Sequence, residues 1–352
     1  MSARAMFSRW RETHWLLGAS GAAALALIAI VWGTPGLMEA WLLAFVVLAG
    51  VSVGALGILM IGHVLGEIWL HPMRDELEPM ARAMPLVAIL GAPLLFGLDH
   101  LYPWAAELSG PRDYFSESGF TIRSIAYVAI WIVFAALIAR PGRHRRLSAV
   151  GLALLAPTVG LAAIDWIASR EPEWISSLYG FSFAVAQGFA ALGLAMLITL
   201  LRQGHPPAER LRSLQVAMAS LALLVMWLWF SQFLIVWMAD VPRESAWFLA
   251  RQGGVWTILQ NFVALPALAA AIVLMVPPDP GRMRIVASSA LILVHHLAHI
   301  VWLVRPRFAE TGVTISDLAI AAGPLVVWAL FVGTEISRQP SLEPEYEANL
   351  AP

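Results

Sequence analysis

The sequence predicts an all-α polytopic membrane protein with about ten transmembrane helices. Sixty per cent of its 352 residues are hydrophobic, only 13% are charged, and the mean hydropathy is +0.75. Soluble domains are about half apolar and about a quarter charged, so this composition is typical of a chain that lies mostly in lipid. The net charge of −1 gives no reason to expect nucleic-acid binding.

Ten segments have the length of about 20 mostly apolar residues that a helix needs to cross a bilayer. These are residues 15–33, 40–70, 83–104, 119–139, 147–168, 175–201, 212–239, 251–276, 283–304 and 316–334. The joints between them are short and rich in Gly, Pro and charge, which is typical of turns. We expect a single transmembrane domain over 1–334, including the first apolar run as a retained helix. Residues 335–352 should form an acidic, disordered cytoplasmic tail.

The arginines predict the orientation of the chain. Fifteen of the 22 would flank one side of the membrane and seven the other. Since basic residues are in excess on the cytoplasmic side, both termini should be cytoplasmic, in a bacterial inner membrane.

The residue types exclude several chemistries within this chain. It contains no cysteine, so it has no thiolates to ligate an iron–sulfur cluster, no disulfides and no thiol nucleophile. Every basic side chain other than histidine is Arg, which excludes a lysine Schiff base.

Ionisable residues within membrane spans are costly and are candidates for function by default. At the predicted cytoplasmic end of the second span, His63, Glu67 and His71 recur every four residues and should share one helix face. A His–Glu pair could take up protons near neutral pH. The alternative is a solvated helix end.

A second ionisable group lies near the predicted outer surface. Asp99 and His100 end the third span, and Asp165 ends the fifth. Arg123 opens the fourth span and could counter Asp99 or Asp165. Interfacial capping and a snorkelling arginine are the simpler interpretations of these residues.

The third group, His295, His296 and His299, lies near the middle of the ninth span. His295 and His299 should share a face, with His296 about 100° away from His295. These histidines could form a proton wire or hydrogen-bond a quinone, serve as haem ligands, or bond neighbouring helices structurally. One histidine cluster is too little for a dinuclear hydroxylase.

Uncharged polar residues within the spans are supporting candidates, although such residues more often bond helix to helix. They are Gln187, Ser231, Gln232, Gln260 and Asn261.

Several stretches of the chain, between about residues 40 and 306, resemble one known family. They are GEIWLHPMRDELEPMARAMP, LLFGLDHLYPW, FTIRSIAYVAIW, SSLYGFSFAVAQGFAALGLAMLITL, WFSQFLIVWMADVPRESAWFLAR and HHLAHIVWLVRP. Together they resemble the F-type membrane subunit of alternative complex III, in the NrfD/PsrC-like family of ten-helix, quinol-linked proteins.

The resemblance implies two four-helix bundles, from helices 2–5 and 6–9, with helices 1 and 10 flanking them. It implies partners: an iron–sulfur subunit, c-type cytochromes and a paralogous NrfD-like membrane subunit. It also implies a cofactor-free subunit, in contact with quinone or quinol and with phospholipid, that is a candidate proton path. The positions that match family motifs are Glu67, Arg74, Glu78, Asp99, His100, Ser231, Gln232, Asp240 and Arg251.

The leading hypothesis is a subunit of a quinol-oxidising complex, not catalytic alone, that handles protons or quinone. Protons would enter near His63 and Glu67, pass His295 and His299, and leave at the outer group. The rival hypothesis is a stand-alone, proton-coupled secondary transporter.

Overall fold

The computed structural model describes most of the chain. The described residues are 3–33, 36–66, 70, 73–106, 114–139, 144–172, 174, 176–202, 208–276, 281–306 and 314–338, with side chains from residue 15 in the first helix and from residue 211 after the sixth. Within these ranges the chain is helical and contains no strand.

Within the described ranges, ten long helices follow one another. They are α1 (Ala3–Val31), α2 (Leu37–Leu65), α3 (Arg74–Phe96), α4 (Glu117–Ile138), α5 (Arg145–Trp166), α6 (Tyr179–Arg202), α7 (Ala208–Ala239), α8 (Gly254–Met275), α9 (Gly281–Val304) and α10 (Ile315–Ser337). Among the described residues, α2–α10 are long and apolar enough to span a bilayer, while the apolar part of α1 is the shorter Trp15–Val31. The predicted all-α polytopic membrane fold is confirmed.

The helices form the two predicted bundles. Helices α3, α4 and α5 pack around α2, and α6, α7, α8 and α9 pack around one another. The bundles meet where α6 packs against α2 and α5. Both flanking helices lie beside the first bundle, because α10 packs on α2 and α3, and α1 packs on α3 and α10.

Helix α2 lies at the centre of the structure, and 94% of its most apolar 18-residue stretch is buried. Glycines make its contact with α6 possible. A Cβ atom on Gly54 would lie 2.3 Å from the backbone oxygen of Gln187, and one on Gly50 would lie 2.0 Å from that residue's side-chain oxygen. Small residues at such contacts let helix backbones approach closely in lipid.

Several helix boundaries differ from the predicted spans, and the structure gives a local cause for two of them. Helix α2 ends at Leu65, because Gly66 adopts a left-handed conformation (φ 108°) that terminates it. Helix α3 begins at Arg74, nine residues before the predicted span. The sequence predicts that residues 74–82 belong to the joint between two spans, but this segment is helical. Within it, Glu78 pairs with Arg74 at 2.5 Å and with Arg82 at 2.6 Å.

We expect Gly54→Ala to lower the free energy of unfolding by about 1–3 kcal/mol, because the added methyl group overpacks the α2–α6 contact. Thermal unfolding of the purified protein in detergent measures this change. Gly333→Ala is the matched control, because open space surrounds that helical glycine. Equal melting temperatures for the two variants would contradict the role given to Gly54.

Candidate functional site

At the predicted outer end of the first bundle, Asp165 forms an ion pair with Arg123. The carboxylate of Asp165 is fully buried and accepts two hydrogen bonds from the Arg123 guanidinium, at 2.9 and 3.0 Å. The Tyr127 hydroxyl donates a third, at 2.9 Å. The sequence left Asp99 and Asp165 as possible partners of Arg123, and in the structure Arg123 pairs with Asp165. With its oxygens so occupied, this carboxylate connects α4 to α5.

The other outer residues do not gather into a site. The side chains of Asp99 and His100 are 61% and 72% exposed and lie 4.0 Å apart. Asp240 is exposed just beyond α7, with a positive φ of 49°. Ser231 is partly exposed on α7.

At the predicted inner end of the first bundle, His63 is buried and its Nδ1 lies 3.0 Å from the Ser148 hydroxyl of α5. The ring of His144 lies 5.7 Å from that of His63. Sequence patterns missed His144 and Ser148, since both belong to a different helix from His63. Glu67 and His71 lie outside the described residues, so the predicted cluster is described only at His63.

An ionic layer joins three helices at the same end. Fully buried Glu76 pairs with Arg202 of α6 at 2.8 Å. Arg82 lies 3.7 Å from Glu335 of α10 and donates to the backbone oxygen of Ala139 at 2.9 Å. These contacts fix α3 against α6 and α10.

Arg251 makes several contacts at the predicted outer end of the second bundle. Its guanidinium is buried over the Trp247 ring, 3.7 Å from the ring centroid. It binds both carboxylate oxygens of Glu171 at 2.8 Å. It also donates to the backbone oxygen of Leu303 at 3.1 Å. Because Glu171 follows α5, this one side chain joins the two bundles.

Gln232 and Gln187 both lie buried at helix contacts. The Gln232 amide accepts a hydrogen bond from Ser176 at 2.8 Å and donates one to Ser182 at 2.9 Å, which connects α7 to α6. The Gln187 amide lies against Gly50 without a hydrogen-bond partner among the described residues. Both therefore serve helix packing.

Helix α8 changes from α- to π-helical geometry over Ile258–Ala264. The Leu265 N–H donates a hydrogen bond to the backbone oxygen of Gln260, five residues earlier in the chain, as a π-helix requires. Pro266, which has no N–H to donate to the carbonyl four residues before it, favours this irregularity. Such π segments in α-helices occur frequently at functional sites.

Two histidines of α9 contact oxygen atoms of the π segment. His295 Nδ1 lies 2.9 Å from the backbone oxygen of Ala264, and His299 Nδ1 lies 3.1 Å from the Gln260 side-chain oxygen. The two imidazoles stack at 5.6 Å, on one helix face as their spacing predicts. His295 lies near the middle of α9, with His299 one turn closer to the predicted outer end.

These contacts determine the tautomers of the neutral rings. A carbonyl oxygen can only accept, so Nδ1 carries the proton in both histidines. Each Nε2 then presents a lone pair that accepts a hydrogen bond or a proton. His299 is 3% exposed, and its Nε2 has no hydrogen-bond partner among the described residues.

Two tryptophans enclose His299. The centroid of the Trp229 ring of α7 lies 4.5 Å from that of the His299 ring at a steep angle, and the Trp302 ring stacks on the His299 ring at 5.5 Å. Both indole N–H groups are buried and lack a hydrogen-bond partner within the described part of the chain. Together Gln260, Ala264, His295, His299, Trp229 and Trp302 form what we call the α8–α9 histidine site. Nothing in the sequence pattern distinguishes these tryptophans from the chain's fourteen others.

The remaining predicted residues stand apart from this site. His296 is buried about 100° around α9 from His295, and its Nε2 has no partner among the described residues. Asn261 follows Gln260 in the π segment but is exposed. Within the described ranges, no group of three or more His, Asp or Glu side chains could hold a metal ion.

The fold defines the chain as a polytopic α-helical membrane protein. No family model matches the sequence, and no curated protein is found to be similar to it.

We expect Arg123→Met to destabilise the protein by about 3 kcal/mol, because it leaves a buried carboxylate unpaired. Thermal or denaturant unfolding measures the loss. The double variant Arg123→Met/Asp165→Asn removes the charge as well and should recover much of the stability. Equal stability of the single and double variants would show that the charge pair is not the cause.

Proposed function

We propose that this chain is a cofactor-free membrane subunit of a quinol-oxidising electron-transfer complex, and that its α8–α9 histidine site binds quinol and accepts a quinol proton. One observation carries the proposal: His299 Nε2 is a buried proton acceptor inside an aromatic enclosure, fixed in its tautomer by a π segment.

The chemistry of quinol suits this arrangement. A quinol hydroxyl is both a donor and an acceptor, so it can donate to His299 Nε2 while its oxygen accepts from an indole N–H of Trp229 or Trp302. Oxidation of the quinol releases two protons and two electrons. His299 takes one proton as general base, and the second hydroxyl of the quinol releases the other proton to water. The quinone carbonyl that forms remains a suitable acceptor for an indole N–H.

The electrons must leave to redox centres on other subunits. The chain has no cysteine, and clusters held by the protein need thiolates. The family resemblance implies three kinds of partner: an iron–sulfur subunit, c-type cytochromes and a paralogous NrfD-like membrane subunit. The arginine distribution supports a bacterial inner membrane with cytoplasmic termini.

The buried residues support a short proton route better than a full crossing. His299 lies five residues before the end of α9, about 8 Å along the axis. The inner residues His63 and Ser148 belong to the other bundle. Asp165, which lies where protons were predicted to leave, is paired with Arg123. We therefore propose release of the proton towards the outer surface.

Mild purification of the tagged protein from its native membrane tests the membership of a complex. We expect cysteine-rich and haem c-containing subunits to co-purify with the chain. A protein that purifies alone and moves a solute across liposome membranes would instead support a proton-coupled secondary transporter.

We expect His299→Leu to weaken the binding of a decyl-chain benzoquinol to the purified protein by about tenfold, since one lost hydrogen bond costs about 1–1.5 kcal/mol. A titration that follows tryptophan fluorescence measures the Kd. His296→Leu removes a neighbouring buried imidazole that faces away from the site, and should leave the Kd unchanged. Similar Kd values for both variants would refute the role of His299.

A further inference from the structure

Two exposed arginines begin helix α5 at the predicted inner end of the first bundle. Residues 140–146 contain four arginines and no acidic residue. The structure describes two of these arginines, Arg145 and Arg146, in the first turn of α5, and both are exposed. Neither is paired with a carboxylate in the part of the chain that the structure describes. We call Arg145 and Arg146 the α5 arginine pair.

The surroundings of the α5 arginine pair add to its positive charge and do not compensate it. The two side chains are neighbours in the sequence, and they belong to the first turn of a helix, where the helix dipole contributes further partial positive charge. This turn of α5 contains no acidic residue, and His144, which precedes it, makes no side-chain cap. An acidic group from another part of the chain would therefore stabilise this end of α5.

The acidic segment that follows α10 begins close to this end of the bundle. Helix α10 ends at Ser337, and Glu335 in its last turn lies 3.7 Å from Arg82 of α3. The Arg82 guanidinium also donates a hydrogen bond to the backbone oxygen of Ala139, at 2.9 Å. Because Ala139 is the residue that follows α4, the end of α10 lies beside the joint that leads from α4 to α5.

The segment after α10 has the charge and the length to reach the α5 arginine pair. Beyond Arg338 it carries Glu343, Glu345 and Glu347 and no basic residue. An extended chain spans about 3.3–3.6 Å per residue, so these glutamates can lie up to about 17–30 Å from Arg338. Packed helices are about 8–10 Å apart. The glutamates can therefore reach across two neighbouring helices.

We propose that the acidic segment 339–352 docks on the α5 arginine pair of its own chain and neutralises it. An exposed ion pair contributes little by itself, but several act together here, and the tether holds the glutamates near the arginines at a high effective concentration. The docked segment covers a basic surface that anionic phospholipid headgroups of the same leaflet would otherwise contact. This contact is independent of the quinol site and goes beyond the proposed function.

The absence of cysteine from the chain makes a disulfide test of this contact direct. In the parent variant Ala149→Cys/Tyr346→Cys, one thiol lies on the exposed face of α5, four residues after Arg145, and the other lies between Glu345 and Glu347. The full chain is reconstituted in nanodiscs of zwitterionic phosphatidylcholine and oxidised with copper phenanthroline. The rate of disulfide formation then measures the effective concentration of the acidic segment at the α5 arginine pair.

We expect Arg145→Gln/Arg146→Gln to slow disulfide formation by about tenfold, because it removes both positive charges of the pair. Arg212→Gln/Arg284→Gln is the matched control, since it removes two exposed arginines at the predicted inner end of the second bundle, and it should leave the rate unchanged. Raising the salt concentration from about 0.1 M to about 1 M should also slow the parent reaction, because the Debye length falls from about 10 Å to about 3 Å.

Three results would overturn the proposal. A rate that is the same with and without the α5 arginine pair would show that these arginines do not hold the acidic segment. Equal slowing by the control variant would show that net charge, and not this site, is responsible. A parent rate that falls to the level of Arg145→Gln/Arg146→Gln when phosphatidylglycerol is added would show that anionic lipid occupies the arginines instead.

Discussion

The whole structure depends on the close packing of α6 against α2. Helix α2 contacts every other helix of the first bundle and also α10, so its position determines theirs. Because apolar side chains gain little by leaving lipid, close backbone packing has to hold the bundles together. Gly50 and Gly54 permit that approach on α2, and Gly160 meets Gly180 in the same way between α5 and α6.

Charged side chains complete the assembly at both ends. Glu76 with Arg202 holds α3 to α6 at the predicted inner side, and Glu171 with Arg251 joins the two bundles at the predicted outer side. Of the ionisable residues that looked functional in the sequence, Arg123, Asp165 and Arg251 form ion pairs that join helices. The α8–α9 histidine site differs, because its side chains present an acceptor and donors that the described protein leaves unused.

The π segment of α8, Ile258–Ala264, contributes both to helix packing and to the α8–α9 histidine site. The segment supplies the backbone and side-chain oxygens that orient His295 and His299, and it turns Asn261 outwards. The local loss of helical regularity, favoured by Pro266, therefore gives the second bundle a site that the first lacks among its described residues.

The sequence by itself determined the membrane class, the helix count and the shared face of His295 and His299. These follow from composition, from runs of apolar residues and from the helical repeat, all of which are local. It misplaced the ends of α2 and the start of α3, because a left-handed Gly66 and salt-bridged turns outweigh hydropathy there. Only the tertiary structure decided which charges pair and that Trp229 reaches His299. Those contacts join residues far apart in the chain, and no spacing within one helix encodes them.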